Sequence, residues 1–320
     1  MVALSISVES IGLTWPRWKR LVAEIEHLGF AGLYKSDHFT LPQPPDADSL
    51  ELIVSLTYLA DHTQRIPFGS LVAPLSFRDP VMLARQAAAL DDLSDGRMIL
   101  GVGAGWMERE HEMFGYLLGD VPTRMDRLAD GLEVITRLLR SDGPVSHDGS
   151  FYRLREAELR PRPQRPGGPP ILVGGAGPRR TLPLVARYAD IWGAQLLTPE
   201  EVRERSARLD ALLEEVGRPP SAVKRTMSAF VFCGRDAAEL EARVAWVRDV
   251  VPSWAALPLD ALLDGLRTNL QAIVGTPEEV AERIRAYGAA GIEEFMVQWG
   301  GMEDIEGLHV LAEQVAPFVR

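Results

Sequence analysis

The sequence predicts an α/β fold, a (β/α)8 TIM barrel with insertions, and three observations carry that reading. Short apolar runs alternate with longer amphipathic stretches from one end of the chain to the other. Strands joined by helical crossovers pair in parallel. Eight such runs can be counted, and eight favours closure into a barrel over an open sheet. A plain barrel takes about 250 residues, so the 320 present leave roughly 70 for insertions.

The elements follow in order. SISVES (5–10) reads as the first strand, and WPRWKRLVAEIEHLG (15–29) as the first helix. Trp18, Leu21, Val22, Ile25 and Leu28 form one apolar stripe at helical spacing on it, and Gly29 ends it. GLYKSD (32–37) is the second strand. FGSLVAP (68–74) is the third, running through a loop into a helix at Pro80 with Asp79 as its N-cap. RMILGVGA (97–104), PPILVGGA (169–176) and DIWGAQ (190–195) are the next three. KRTMSAFVFCG (224–234) and EEFMVQW (293–299) complete the set. TPEEVRERSARL (198–209) and TPEEVAERIRAY (276–287) open identically, with Thr as N-cap, Pro at the first helical position and Glu three residues after the cap. That pattern is a capping box, and it marks two helix starts. The insertions fall near 141–168, where RPRPQRPGGPP is too broken for a helix, and near 251–275, which reads as short helices before the final βα unit. Neither interrupts the alternation, so residues 1–320 are read as a single domain.

Composition narrows the function. A 46% hydrophobic content describes a globular protein with a sizeable core. No apolar run approaches the roughly 20 residues that span a bilayer, so no membrane partner is expected. MVALSISVES lacks a basic region leading into a long apolar stretch, so no signal peptide is expected. The single cysteine, Cys233, excludes an intrachain disulfide framework and fits a reducing cytoplasm. A net charge of −11 argues against a nucleic-acid partner, because phosphate binding needs clustered Lys and Arg.

Barrel active sites lie at the C-terminal ends of the strands. The positions to inspect are therefore Glu9 and Ser10, Asp37 and His38, Val72 and Ala73, Ala104 to Trp106, and Gly174 to Gly177. His38 follows an acidic residue at such an end, where a titrating imidazole can relay a proton; a structural histidine fits the same place. The cluster VGGAGPRRT (173–181) leaves a strand for a helix, with Arg179 and Arg180 beside its glycines. It can be a phosphate cradle or only a tight turn. GVGAGW (101–106) has Trp106 where a dinucleotide-binding GxGxxG needs glycine, and no Walker motif or GxSxG elbow occurs. HEMFG (111–115) lacks the second histidine of a zincin helix, and no other histidine spacing suggests a metal. An aldolase-like barrel would need a Schiff-base lysine at a strand end, and strand alternation turns Lys35 away from the lumen.

Several stretches together resemble the bacterial luciferase-like superfamily, in its deazaflavin (coenzyme F420)-dependent oxidoreductase branch. They are YKSDHF (34–39), GSLVAP (69–74) with RDP (78–80), LSDGRMILGVGAGWMEREHEMFG (93–115), RPRPQRPGGPPILVGGAGPRRTLPLVARYADIWG (160–193) and GTPEEVAERIRAYGAAGIEEFMV (275–297). The resemblance implies a barrel with the isoalloxazine-like ring across its mouth and a non-proline cis peptide at Leu71–Val72 backing it. It implies that Leu71, Val72, Ala104, Gly105 and Trp106 line the ring, while Gly174, Gly175, Ala176, Gly177 and Arg180 take the phosphate tail. It places His38 at the hydride-transfer centre, with Asp37 expected to orient its imidazole. Sugar-phosphate dehydrogenases of the branch carry a proton-donating Glu where Trp106 stands here, which leaves that role unassigned, with Glu110 as a candidate, and counts against their substrate.

The function expected from the resemblance is hydride transfer between coenzyme F420 and a small organic substrate. One alternative is a monooxygenase that takes reduced FMN from a separate reductase and uses oxygen. Another is a non-catalytic flavin-binding protein of the same fold. The resemblance also implies a homodimer.

Overall fold

In the computed structural model, which describes residues 1–319, eight parallel strands close into a ring. They are β1 (Ala3–Val8), β2 (Leu33–Lys35), β3 (Phe68–Ser70), β4 (Met98–Gly103), β5 (Ile171–Gly174), β6 (Ile191–Gln195), β7 (Lys224–Cys233) and β8 (Glu294–Trp299). Every strand pairs with its neighbours in chain order. β1 pairs with β8, from Ala3↔Glu294 to Val8↔Trp299, which closes the barrel. The eight are those the alternation predicts, with small shifts at their ends. The third is broken: the cis peptide Leu71–Val72 interrupts it, and Ala73–Pro74 then pairs with β4.

Helices Trp15–Leu28, Leu52–His62, Pro80–Leu93, Val121–Arg140, Thr181–Tyr188, Pro199–Glu215 and Pro277–Ala289 cover the outside. The predicted stripe on the first is buried at Trp18, Leu21, Val22 and Ile25, and Gly29 closes that helix at φ 72°. Asp79 caps Pro80–Leu93 by accepting from the Met82 amide, and both capping boxes form, at Thr198 and Thr276. The main apolar core lies between sheet and helices. A smaller one, containing Tyr34, Leu172 and Met296, fills the barrel interior beneath Leu71 and Val72. At the N-terminal end of the barrel the buried Glu294 accepts hydrogen bonds from Ser5, Tyr34 and Lys224. The floor is therefore sealed, and the opposite end is left for chemistry.

Both insertions hold more structure than their composition predicts. Within 141–168 an antiparallel hairpin forms from Val145–Asp148 and Arg153–Ala157. Asp130, from the helix before it, accepts from the amides of Phe151 and Tyr152 and fixes its turn. Within 251–275 the helix Leu259–Asn269 appears as expected, but Ile273–Gly275 is a strand that extends the sheet beside the end of β7. With helix Ala237–Val250 this segment builds a separate small core around Phe232, Val247, Leu262 and Leu266.

Candidate active site

The mouth of the barrel is shaped first by Val72. A Cβ on Gly103 would lie 2.6 Å from Val72 Cγ2, and one on Gly174 would lie 3.0 Å from Val72 Cγ1. A Cβ on Gly101 would meet the Ser70 carbonyl oxygen at 1.9 Å. β4 and β5 carry glycine here because the bulge of the broken third strand occupies the space over them. The result is a flat, side-chain-poor platform at the mouth, edged by the half-buried Leu71 and Ala104.

His38 stands beside that platform, just past the end of β2. Its backbone amide donates to Ser10 Oγ at 3.3 Å, and its carbonyl accepts from Ser49 Oγ at 2.5 Å. Its ring Nδ1 lies 3.2 Å from both carboxylate oxygens of Glu110. Trp106 meets the ring edge-on, with centroids 5.6 Å apart. Glu110 comes from the first turn of helix Glu108–Phe114, is 1% exposed, and also accepts from the Phe39 amide at 3.2 Å. A carboxylate facing Nδ1 holds the proton there, so in the neutral ring Nε2 carries the free lone pair. Burial opposes the imidazolium, but the hydrogen bond and charge of Glu110, helped by Glu9 and Asp37, outweigh it and hold the His38 pKa above its ordinary value.

Asp37 does not orient that ring, and the sequence expectation is corrected here. Its carboxylate is gripped by Arg78, with Nε at 2.5 Å and Nη2 at 2.8 Å, and Arg78 also reaches Glu51 at 2.8 Å. Neighbours along an extended segment point to opposite sides, so Asp37 turns away as His38 turns in. Glu110, expected as a proton donor, occupies the orienting position instead. Arg109 beside it binds the Leu41 carbonyl at 2.8 Å and Asp46 at 2.7 and 2.8 Å. Successive residues of one short helix thus clamp segment 38–46.

The sequence offered no role for the residues that set this scaffold. Ser10 Oγ serves the His38 amide and Lys35 Nζ, while Arg78 and Arg109 anchor the loops; Arg78 stood in the quoted RDP and Arg109 in the quoted stretch 93–115, and Ser10 was marked only by its place at a strand end. Glu9 ends β1 near His38, and burial raises its carboxyl pKa against the pull of His38, Ser36 and Lys35. Lys35 is buried and bonded to Ser10, Ser36 and Leu50, with its pKa pushed down to about 8 by burial. As expected, it does not enter the lumen. His111 donates from Nδ1 to the Met107 carbonyl and faces Ser76 Oγ with Nε2, both at 2.7 Å, so it braces the loop.

The remaining predicted residues ring the mouth. Gly105 has φ 81° and its Cβ position would collide with Ser76, so both conformation and space demand glycine. Trp106 is 55% exposed. Gly175 (φ 119°), Ala176 and Gly177 lead into helix Thr181–Tyr188, whose first residue is not capped by any side chain. Arg180 is tied to the Pro122 carbonyl at 2.8 Å and to Asp126 at 3.1 Å. Among the described residues, Arg179 makes no hydrogen bond or ion pair, which makes it the open cation of this cluster. No group of three or more His, Cys, Asp or Glu side chains among the described residues could hold a metal ion.

Comparison with known proteins locates this arrangement. The luciferase-like monooxygenase family model matches residues 5–294. The chain is 30% identical over 272 residues to 4-hydroxyprotoasukamycin monooxygenase of Streptomyces nodosus subsp. asukaensis, covering 84% of this chain and 68% of that one. It is 31% identical over 235 residues to F420-dependent hydroxymycolic acid dehydrogenase of Mycobacterium tuberculosis, covering 72% of this chain and 63% of that one. It is 25% identical over 332 residues to FMNH(2)-dependent dimethylsulfone monooxygenase of Pseudomonas putida, covering 95% and 88%. Among solved structures, an F420-dependent secondary alcohol dehydrogenase in complex with an F420-acetone adduct superposes with a TM-score of 0.82, at 21% identity and over the full length of both chains.

Proposed function

The chain belongs to the luciferase-like monooxygenase family, and from that premise we propose that it is an F420-dependent oxidoreductase acting on a small organic substrate. That it is an enzyme of the F420- or FMN-dependent type follows from its relatives. The choice of F420 rests on SDHF (36–39), which is similar to the sequence at the hydride-transfer site of deazaflavin dehydrogenases. The carrying observation is the His38–Glu110 pair, with Nδ1 fixed and Nε2 free beside the platform.

The residues present fit a planar ring with an anionic tail. Gly101, Gly103 and Gly174 leave the platform bare of side chains over Val72, and Leu71, Ala104, Gly105 and Trp106 edge it. The exposed turn at Gly177, the uncapped start of the helix at Thr181 and the open Arg179 suit a phosphate, with Arg180 behind them. When bound, such a ring supplies a carbon that exchanges hydride with substrate. A substrate hydroxyl directed at Nε2 gives up its proton to His38, and the adjoining Glu110 carboxylate stabilises the imidazolium; in the reverse direction the same nitrogen returns it. Glu110 serves as the positioning group in this scheme. The raised His38 pKa favours the imidazolium that accepting this proton creates.

The test is a fluorescence titration of the protein with F420 and with FMN, followed by turnover of wild type and His38→Ala. F420 should bind more tightly, and the variant should retain binding while losing turnover. Preference for FMN, with oxygen uptake on adding reduced flavin, would select the monooxygenase chemistry. Undiminished turnover in His38→Ala would remove the catalytic role.

A further inference from the structure

The barrel lumen has a second wall, on the three strands β7, β8 and β1. Along β8, Phe295, Val297 and Trp299 join the core between sheet and helices, whereas Met296 joins the cluster inside the barrel. Strand alternation therefore turns Gln298, two residues past Met296, into the lumen toward the mouth. The same parity holds on β1. Leu4, Ile6 and Val8 face the helices, Ser5 meets Glu294 at the floor, and Ser7 and Glu9 follow it inward. On β7, Met227, Ala229 and Val231 face the helices, so Phe230 faces in. Register then sets three of these side chains in one row, with Ser7 beside Gln298 and Gln298 beside Phe230.

The row has an apolar end and an unpartnered polar one. Phe230 lies 6.4 Å, centroid to centroid, from Trp246 of helix Ala237–Val250. A Cβ on Gly300 would come within 2.3 Å of that indole, so glycine after β8 lets Trp246 lie over the strand end. Among the described residues, neither the Gln298 carboxamide nor the Ser7 hydroxyl makes a hydrogen bond, although Ser7 is 1% exposed. Buried polar groups without a partner are uncommon, and these two are neighbours. Gln298 is only half-buried and shares a cleft with Trp246 and Gly300, so a ligand can reach it.

The row also leads to His38. Past the end of the β1–β2 ladder the Ser36 amide donates to the Val8 carbonyl at 3.1 Å, which brings Glu9 level with Ser36, two residues before His38. Resting on the reading of His38 as the reacting centre, we propose that the lumen face of β7, β8 and β1 is the substrate subsite. Gln298, with Ser7, selects a substrate that carries a second neutral polar group (a hydroxyl, carbonyl or amide) away from the reacting carbon. A carboxamide and a hydroxyl each donate and accept, so together they match such a group in either polarity. A ligand lacking it leaves both unpaired in a water-poor site, which is the stronger basis for discrimination. Phe230 packs against the apolar body between the two polar ends.

Calorimetric titration of the whole protein with 1-alkanols and with the α,ω-diols of equal length, butane to octane, tests this. At the length that spans His38 and Gln298 the diol should bind about fivefold more tightly than its alcohol, the yield of one net hydrogen bond. Gln298→Leu should remove that advantage, and Ser7→Ala, which deletes one oxygen, should reduce it. A diol no tighter than its alcohol at any length, or an advantage that survives both variants, would overturn the proposal. So would a Gln298→Leu protein that weakens alcohol and diol alike while Ser7→Ala changes neither. His38→Ala separates the two readings, since it should weaken both series. If it changes neither while Gln298→Leu still removes the diol's advantage, the reading of His38 fails and the subsite stands.

Discussion

Glutamine at position 110 separates the charge of that carboxylate from its shape. Glu110 is 1% exposed and receives two donors, His38 Nδ1 and the Phe39 amide, each at 3.2 Å. The amide has one acceptor oxygen, so it can satisfy one donor and must turn its NH2 toward the other. Losing a hydrogen bond to a charged acceptor costs about 1.5–3 kcal/mol. If that stabilisation of the imidazolium is expressed in the transition state, turnover falls roughly ten- to hundredfold. The pH profile supplies the sharper readout. Burial is the largest influence on His38 and disfavours its charged form; the Glu110 hydrogen bond and charge are the main forces against it. With them gone the His38 pKa falls, and the limb of the rate profile that reports it moves to lower pH. Stability follows the same sign. A histidine with a raised folded pKa contributes stability in full below its unfolded value near about 6.5 and loses that contribution as pH rises through the folded value. The urea midpoint of Glu110→Gln should therefore lie furthest below wild type in acid and approach it in alkali. Turnover within about twofold of wild type, with an unmoved limb, would refute the pairing as the basis of proton transfer.

Two further substitutions divide the scaffold from the chemistry. Asp37→Asn leaves the half-buried Arg78 with Glu51 alone, and breaking a buried pair from one side costs about 3–5 kcal/mol, readable as a lower urea midpoint. Its rate-profile limb should nonetheless stay closer to wild type than that of Glu110→Gln, and a larger displacement would return the orienting role to Asp37. Gly103→Ala drives a methyl into Val72 Cγ2 and should cost about 1–3 kcal/mol of stability together with cofactor affinity. Adding Val72→Ala to it should recover part of both in thermal melts and binding titrations, and the absence of any recovery would mean that the platform is not set by this contact.

The barrel was readable from periodicity because each strand and helix must bury one face, and that demand is written locally. The Thr-Pro-Glu-Glu starts were readable for a similar reason, since a cap is completed within four residues. What escaped is what depends on distant partners. Glu110 lies 72 residues from His38, and no spacing rule links them. Asp37, adjacent in sequence, was the natural candidate to orient the ring and fails because extended backbone sends neighbours to opposite sides. The strand Ile273–Gly275 is three residues long, too short for any period to show. The glycines of β4 are more instructive. In the sequence Gly101 and Gly103 read only as a failed dinucleotide fingerprint, yet they are required by the chain itself, to admit Ser70 and Val72. Both demands meet in one surface, because the bulge that needs the glycines also leaves the platform bare.

That double use explains why the site hangs on helix Glu108–Phe114. β4 must carry glycine up to the platform, and Gly105 must then turn at positive φ to clear Ser76. Only after that turn can a helix begin, which puts Arg109 and Glu110 on the two sides of segment 38–46. His38 itself is otherwise held by the hydroxyls of Ser10 and Ser49, each a single neutral hydrogen bond, while Arg78 grips the neighbouring Asp37 from outside. The charged contact on the His38 ring comes from the helix, and charge-assisted bonds are about twice as strong. The orientation of His38 is therefore inherited from the glycine run of β4 through Glu110, so a change in that run should disturb the histidine before it disturbs the barrel.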